Sequence, residues 1–314
     1  MTLRLGVLGS SEGNGHPFSF SAIVNGYDSE RMREAGWGVI ADYLDLRDPV
    51  DLGLGDVVVS HAWCPNEDEA RALSRSTHIP NIASDPQAMI GAVDGVLIAR
   101  DDWESHLPLA MPFLEASTPV FVDKPLTLDP SQLRAFRPHL ESGKLMSCSG
   151  FRFSPELDVL RSQLALDRPH VLTGIGPGDW SRYGVHLVEP LLSLAPAPPA
   201  GVLRIDGDHE AAVVELADGS VMLVDCLGDS APGFVINVTT GSRRYEIVLA
   251  DRFTAFRRLL GRFVRMIETT EPPIDPEATW RVMQVLMARG QRQGDARWSA
   301  VDTTAVADPE YGGR

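Results

Sequence analysis

Pro125 stops a strand and, in doing so, fixes where this chain presents a lysine. The run Pro119-Val-Phe-Val-Asp-Lys-Pro-Leu-Thr127 opens with β-branched and aromatic residues, the composition of a short buried strand. Proline has no amide hydrogen and restricts the residue before it, so the strand ends at Asp123 and Lys124 is held at its tip. Upstream lies a second apolar run, Val93-Asp-Gly-Val-Leu-Ile98, then the polar loop Ala99 to His106, then a helical pattern through Leu107, Leu109, Ala110, Phe113 and Leu114. Strand, loop, helix and strand in that order predict a parallel α/β sheet, and open sheets of this kind hold their ligands beyond the strand ends.

The N-terminus predicts the same architecture. Leu3 to Leu8 reads as a strand that runs at once into Gly9-Ser-Ser-Glu-Gly-Asn-Gly-His-Pro17, with a helix expected from about Phe18. Such a loop lets the backbone approach a ligand, and amides at a helix N-terminus receive a pyrophosphate. The spelling is irregular: laid on G-x-G-x-x-G the chain supplies Gly9, Ser11 and Asn14, with further glycines at Gly13 and Gly15. We take Gly9, Ser10, Ser11, Gly13, Asn14, Gly15 and His16 as cofactor candidates, together with Arg100, Asp123 and Lys124 past the later strands. Two segments compete for the second strand, Gly38 to Asp42 and Asp56 to Trp63. The latter restores regular alternation with a helix over 66–76, which makes residues 26–55 an insertion and puts Trp63 and Asn66 beside the adenosine. It offers no acid at its tip, so NAD and NADP both stay open.

From Gly201 the pattern changes. Residues 211–224 read as two strands about an Asp-Gly turn, and Phe234 to Val238 and Tyr245 to Leu249 follow as strands, which together predict an antiparallel sheet. Helices near 252–269 and 277–290 are expected to close that domain. The boundary is placed so that residues 1–126 form a dinucleotide-binding domain and 127–314 an α+β domain for substrate and oligomerisation.

A chain of 314 residues with 44% apolar content is long enough for two cores. Its formal charge of −15 argues against nucleic-acid partners. Arg257, Arg258, Arg262 and Arg265 alternate with apolar residues as the solvated face of a helix. No stretch has the length of a membrane span or the look of a signal peptide, so a cytoplasmic location is expected. Cys64, Cys148 and Cys226 stand apart and read as buried side chains, and the histidines show no metal-ligand spacing.

Three signatures in order, Asp123-Lys-Pro125, Gly150-Phe-Arg-Phe-Ser-Pro155 and Tyr183-Gly-Val-His186, resemble those of the Gfo/Idh/MocA oxidoreductases over most of the chain. The resemblance implies a Rossmann-type N-terminal domain, a C-terminal open sheet that packs on the first domain or on another subunit of a homodimer or homotetramer, and NAD or NADP as cofactor. It implies hydride transfer between nicotinamide and a secondary alcohol or ketone of a sugar, nucleotide sugar or cyclitol. Catalysis then falls to Lys124 and His186, and substrate binding to Arg152, Arg182, Tyr183 and His186. It also makes Gly150 to Pro155 a strand bearing Arg152. Where the family pattern has an Asp four residues before the histidine, this chain has Arg182, which points to an anionic substrate or to a proton path resting on Lys124, His186 and Tyr183. Two other readings stay open: a binding or regulatory member without turnover, and an epimerase or lyase that oxidises its substrate transiently.

Overall fold

The computed structural model describes residues 2–231, 233–288 and 299–300. Packing divides the chain into two compact units. One comprises Met1–Val159 with Leu249–Met283, the other Leu160–Val248 with the segment from Gln284. The sequence drew its boundary after residue 126 from motifs alone, and packing draws it later, with a return crossing near residue 249.

The first unit is built on six strands: β1 (Leu3–Leu8), β2 (Val57–Trp63), β3 (Asn81–Ile82), β4 (Gly95–Ile98), β5 (Val120–Val122) and β6 (Leu145–Met146). Their order is β3-β2-β1-β4-β5-β6 and every pair is parallel. This is the doubly wound Rossmann order, whose switch point lies between β1 and β4. Helices α1 (His16–Asn25), α4 (Glu67–Ser76), α5 (His106–Glu115) and α6 (Pro130–Glu141) alternate with the strands. Their starts are encoded locally. Asn66 caps α4 by accepting from the Asp68 amide, and Glu67, Asp68 and Glu69 fill the first turn, where acids complement the helix dipole. Asp129 accepts from the Ser131 and Gln132 amides, with Pro130 in the first turn of α6.

Between α1 and β2, the segment expected as an insertion carries two short helices, α2 (Ser29–Glu34) and α3 (Gly38–Leu44). The rejected strand at Gly38 to Asp42 is therefore helical. Met32, Ile40, Ala41 and Leu44 are buried in the same cluster as Leu5, Val7 and Val59 of the central strands, so the insertion is part of the core.

Two sequence expectations are corrected. Gly150 to Phe153 is a single 3-10 turn, because the Ser149 side chain accepts from the Phe151 amide and Gly150 sits where a Cβ would strike the Phe256 ring at 2.7 Å. Arg152 is half-buried on that turn and not on a strand. The helix at Arg252–Thr269, α10, was expected to close the second domain. It completes the core of the first instead: Phe253, Leu259, Leu260, Phe263 and Met266 join the central cluster, and the Phe263 ring lies 6.1 Å from that of Phe121 on β5. Arg257, Arg258, Arg262 and Arg265 are exposed on it, as the helical period requires.

The second unit holds a mixed, mainly antiparallel sheet of seven strands. They are β7 (Pro169–Gly176), β8 (Pro199–Asp206), β9 (Glu210–Leu216), β10 (Val221–Cys226), β11 (Phe234–Thr240), β12 (Arg244–Leu249) and β13 (Ser299–Ala300), ordered β12-β11-β7-β10-β9-β8-β13. The β9–β10 hairpin turns at Asp218-Gly219, with Gly219 at φ +83, a value glycine adopts without strain. Helices α8 (Trp180–Tyr183) and α9 (Val185–Leu194) follow β7. Among the described residues no helix is long and apolar enough to cross a membrane.

Candidate active site

Lys124 is 4% exposed at the C-terminal end of β5, and its peptide bond to Pro125 is cis. The backbone there is fixed from both sides. Asp123 donates its amide to Ile98 O across the β4–β5 pair, and its carboxylate Oδ1 accepts from the Lys124 amide at 2.8 Å. The lysine ammonium faces a second acid, Asp101, with Nζ to Oδ2 at 3.8 Å. Asp101 comes from the loop after β4 and is itself buried, accepting a hydrogen bond from the Ser11 hydroxyl at 2.6 Å. Sequence reasoning passed over Asp101. The signal was an acid three residues past a fully buried strand, masked by its neighbours Arg100 and Asp102.

Asp123 turns towards the N-terminal loop. Its Oδ2 accepts from Asn14 Nδ2 at 3.1 Å and lies 2.6 Å from His16 Nδ1. Burial alone would raise this carboxyl. The His16 charge and hydrogen bond, reinforced by Lys124, outweigh burial and hold it well below the usual carboxylate range. The His16 ring stacks on Phe20 and meets the edge of Phe256. Asn14, His16, Asp101, Asp123 and Lys124 thus form one connected polar group at the switch point between β1 and β4.

The same loop is braced from the β4 side. Arg100 forks onto Asp102 at 2.9 and 2.7 Å and donates to the Ser10 carbonyl. The buried His106 faces the carbonyls of Arg100 and Leu126 with its two ring nitrogens, at 2.8 and 2.9 Å. Gly9 donates its amide to Trp63 O at 2.9 Å, and a Cβ on it would lie 2.9 Å from Pro17 and 3.3 Å from Cys64, so only glycine lets strand and helix approach this closely. Burial pushes the Cys64 thiol up to about 12, with Glu69 adding to the effect, which leaves it unreactive.

Above the loop is a cavity of about 570 Å³ lined by residues 10–13, by Trp37 and its neighbours from the insertion, and by the start of α4. Gly13 stands at φ +73 in its rim. The other glycine of the loop behaves differently. A Cβ on Gly15 would meet Ile40 at 2.6 Å and Trp37 at 2.8 Å, so Gly15 is required by packing of the insertion onto α1. Trp63 contributes its backbone carbonyl, while Pro65 and Asn66 line the cavity. A strand end, an open glycine loop and a roomy cavity above that loop suit a dinucleotide.

The second unit carries the remaining candidates. Asp179 caps α8 by accepting from the Arg182 amide at 2.9 Å, which places Arg182, half-buried, one turn from the cap. His186 is buried on α9, its ring 5.4 Å from Phe234 and 6.0 Å from Tyr183. A Cβ on Gly178 would lie 2.2 Å from the Tyr183 ring, so that glycine seats the tyrosine.

The first unit is thus a Rossmann domain with a lysine and two carboxylates at its switch point. Residues 42–149 match the model of the Gfo/Idh/MocA group, described as oxidoreductase family, NAD-binding Rossmann fold. A nicotinamide dinucleotide is its cofactor. A comparison with curated proteins returns no match. Solved structures share the fold over nearly the whole chain. A probable dehydrogenase from Thermotoga maritima has a TM-score of 0.68 at 15% identity, over 90% of this chain and 94% of its own. GenD2 from gentamicin A biosynthesis, in complex with NAD, gives 0.73 at 17% over 96% and 97%. The myo-inositol dehydrogenase from Lactobacillus casei, in complex with NAD(H) and myo-inositol, gives 0.73 at 12% over 98% of both chains.

Proposed function

We propose that the chain moves a hydride between nicotinamide and a secondary alcohol or its ketone on a carbohydrate-like molecule, a sugar, nucleotide sugar or cyclitol. The observation that carries this reading is Lys124, buried at a strand end and facing Asp101, beside a loop that suits a dinucleotide. The solved myo-inositol dehydrogenase of the same fold supports the substrate class. The nucleotide, when bound, accepts or delivers the hydride. Ser10, Ser11 and Gly13 would hold it at the cavity, while Asn14 and His16 hold Asp123.

The protein's own task is the proton. Ketone reduction leaves an oxygen that needs a proton as the hydride arrives, and oxidation of the alcohol releases one. In the reductive direction the Lys124 ammonium gives its proton to that oxygen, and in the oxidative direction the neutral amine takes it back. Asp101 orients the lysine, and Asp123 fixes the backbone from which it projects. His186, Arg182, Tyr183 and Arg152 are our candidates for substrate contacts, and an arginine at position 182 favours an anionic substrate.

The test is a screen of sugars, nucleotide sugars and cyclitols with both nucleotides, followed through nicotinamide absorbance. With an active substrate in hand, Lys124→Met is expected to lower kcat by about a hundredfold to ten-thousandfold with nucleotide affinity nearly unchanged. Near-normal turnover in that variant would sink the assignment of Lys124. Arg182→Ala is expected to raise KM more than it lowers kcat. A second reading, a member that binds nucleotide without turnover, is favoured by the polar side chains of the loop, which are engaged with Asp101, Asp123 and Glu69 of the chain itself. Tight nucleotide binding with no turnover across the whole screen would favour it. We also propose a homodimer or homotetramer, to be checked by light scattering.

A further inference from the structure

The cavity over the glycine loop has a charge pattern and an aromatic wall that nucleotide binding alone does not require. One wall is Trp37, half-buried, with its ring centroid 5.7 Å from that of Phe18. The opposite wall is the start of α4, with Asn66 and Glu69. The charged side chains that line the cavity are two exposed glutamates, Glu12 and Glu69, and no Lys, Arg or His lines it. The nearby arginines are engaged elsewhere. Arg33 bonds Asp42 at 2.7 Å and Asp45 at 2.9 Å, Arg71 bonds Glu67 and Asp68, and Arg100 bonds Asp102 and the Ser10 carbonyl.

We propose that this cavity is the adenosine subsite and that it selects NAD(H) over NADP(H), with Trp37 as the face for the base and Glu69 as the acceptor for the ribose hydroxyls. The proposal rests on the oxidoreductase reading above. In dinucleotide-binding folds an acid at the tip of the second strand takes the ribose hydroxyl. Here that tip is Trp63-Cys-Pro65, without a carboxylate. Glu69 supplies one from the first turn of α4, where the Ser10 hydroxyl donates to it. A 2′-phosphate would bring about two negative charges among Glu12, Glu69 and the neighbouring Glu67 and Asp68, with no free guanidinium to receive it. The pyrophosphate is common to both nucleotides and does not discriminate between them. The insertion thereby acquires a purpose, since Trp37 belongs to it and Gly15 admits Trp37 against α1.

Calorimetry with NADH and NADPH tests this directly, without turnover. We expect NADH to bind at least about a hundredfold more tightly, the scale that like-charge contact produces. Glu69→Gln is expected to weaken NADH about tenfold while narrowing the gap to NADPH. Trp37→Ala is expected to weaken NADH by about tenfold, with Trp37→Phe restoring most of it, as loss and return of a stacking face predict. Glu69 is exposed, so its variant decides the question even where Trp37→Ala unfolds. Equal affinity for the two nucleotides, or wild-type NADH affinity in Glu69→Gln, overturns the subsite. If wild-type protein binds neither nucleotide, the oxidoreductase reading falls as well. If NADH binds, Lys124→Met lowers turnover as expected and Glu69→Gln binds normally, only the subsite falls.

Discussion

Asp123 shows how much one side chain does here. It is fully buried, yet it is ionised, because Asn14, His16 and the Lys124 amide converge on it. Removing one partner of a buried pair leaves the other uncompensated, so Asp123→Asn is expected to cost about 3 kcal/mol near neutral pH. The pH dependence follows from the direction of the shift. The folded-state pKa is depressed below the ordinary carboxylate value of about 4, so the stabilisation is fully present above that value and is lost as the pH falls towards the folded pKa. Urea melts of wild type and variant are expected to differ clearly at pH 5 and to converge as the pH falls below about 4. A gap that stays constant into strong acid would contradict the assignment. Asp123 was readable as a residue beside a lysine at a strand end. That it serves His16 and Asn14 while Asp101 serves Lys124 was not, since those partners stand far off in the sequence.

Among elements, α10 departs furthest from what its sequence implied. Its helical period and its solvated arginine face were plain, but a period says which face is buried and not against what. The turn after α6 depends on it: Gly143 stands at φ +67, and a Cβ there would lie 2.3 Å from the Thr270 carbonyl at the end of α10. Gly143→Ala should therefore combine backbone strain with a backbone clash and cost at least about 2 kcal/mol. Gly53→Ala is the control. Gly53 has φ +88 with nothing within 4 Å of the added Cβ, so it carries the strain alone, about 1 kcal/mol. Equal losses in denaturant melts of the two variants would mean that the Thr270 contact is unimportant. At Gly150 the family resemblance implied a strand, and the Phe256 ring together with the Ser149 cap selected a 3-10 turn.

For the molecule as a whole, the first unit is discontinuous in sequence, and its core is closed by residues 249–283. Phe253, Leu259, Leu260, Phe263 and Met266 are each buried there, and a side chain of this size contributes about 1.5 to 3 kcal/mol on burial. Such a sum exceeds the few kcal/mol by which a domain is stable. A fragment of residues 1–159 is therefore expected to aggregate or to melt without cooperativity, and co-expression with residues 249–283 should restore a cooperative transition by circular dichroism. A sharply melting 1–159 fragment would show that α10 is dispensable to that core.

Local physics set most of the elements. Pro125 had to end a strand, Asn66 and Asp129 had to start helices, and the alternation of apolar runs with helical periods had to give a parallel sheet in the first half and hairpins in the second. Three signatures in order then pointed to the family resemblance and the cofactor class, and the first of them lies within the matched residues 42–149. The tertiary structure decided the rest, because each remaining question was about which distant groups meet. Asp101 reaches Lys124, Trp37 and Ile40 fill the space beside Gly15, and α10 leaves the sheet that precedes it to complete the core around Phe121. Contacts of this kind depend on chain closure over tens to hundreds of residues, and no local propensity or spacing encodes them.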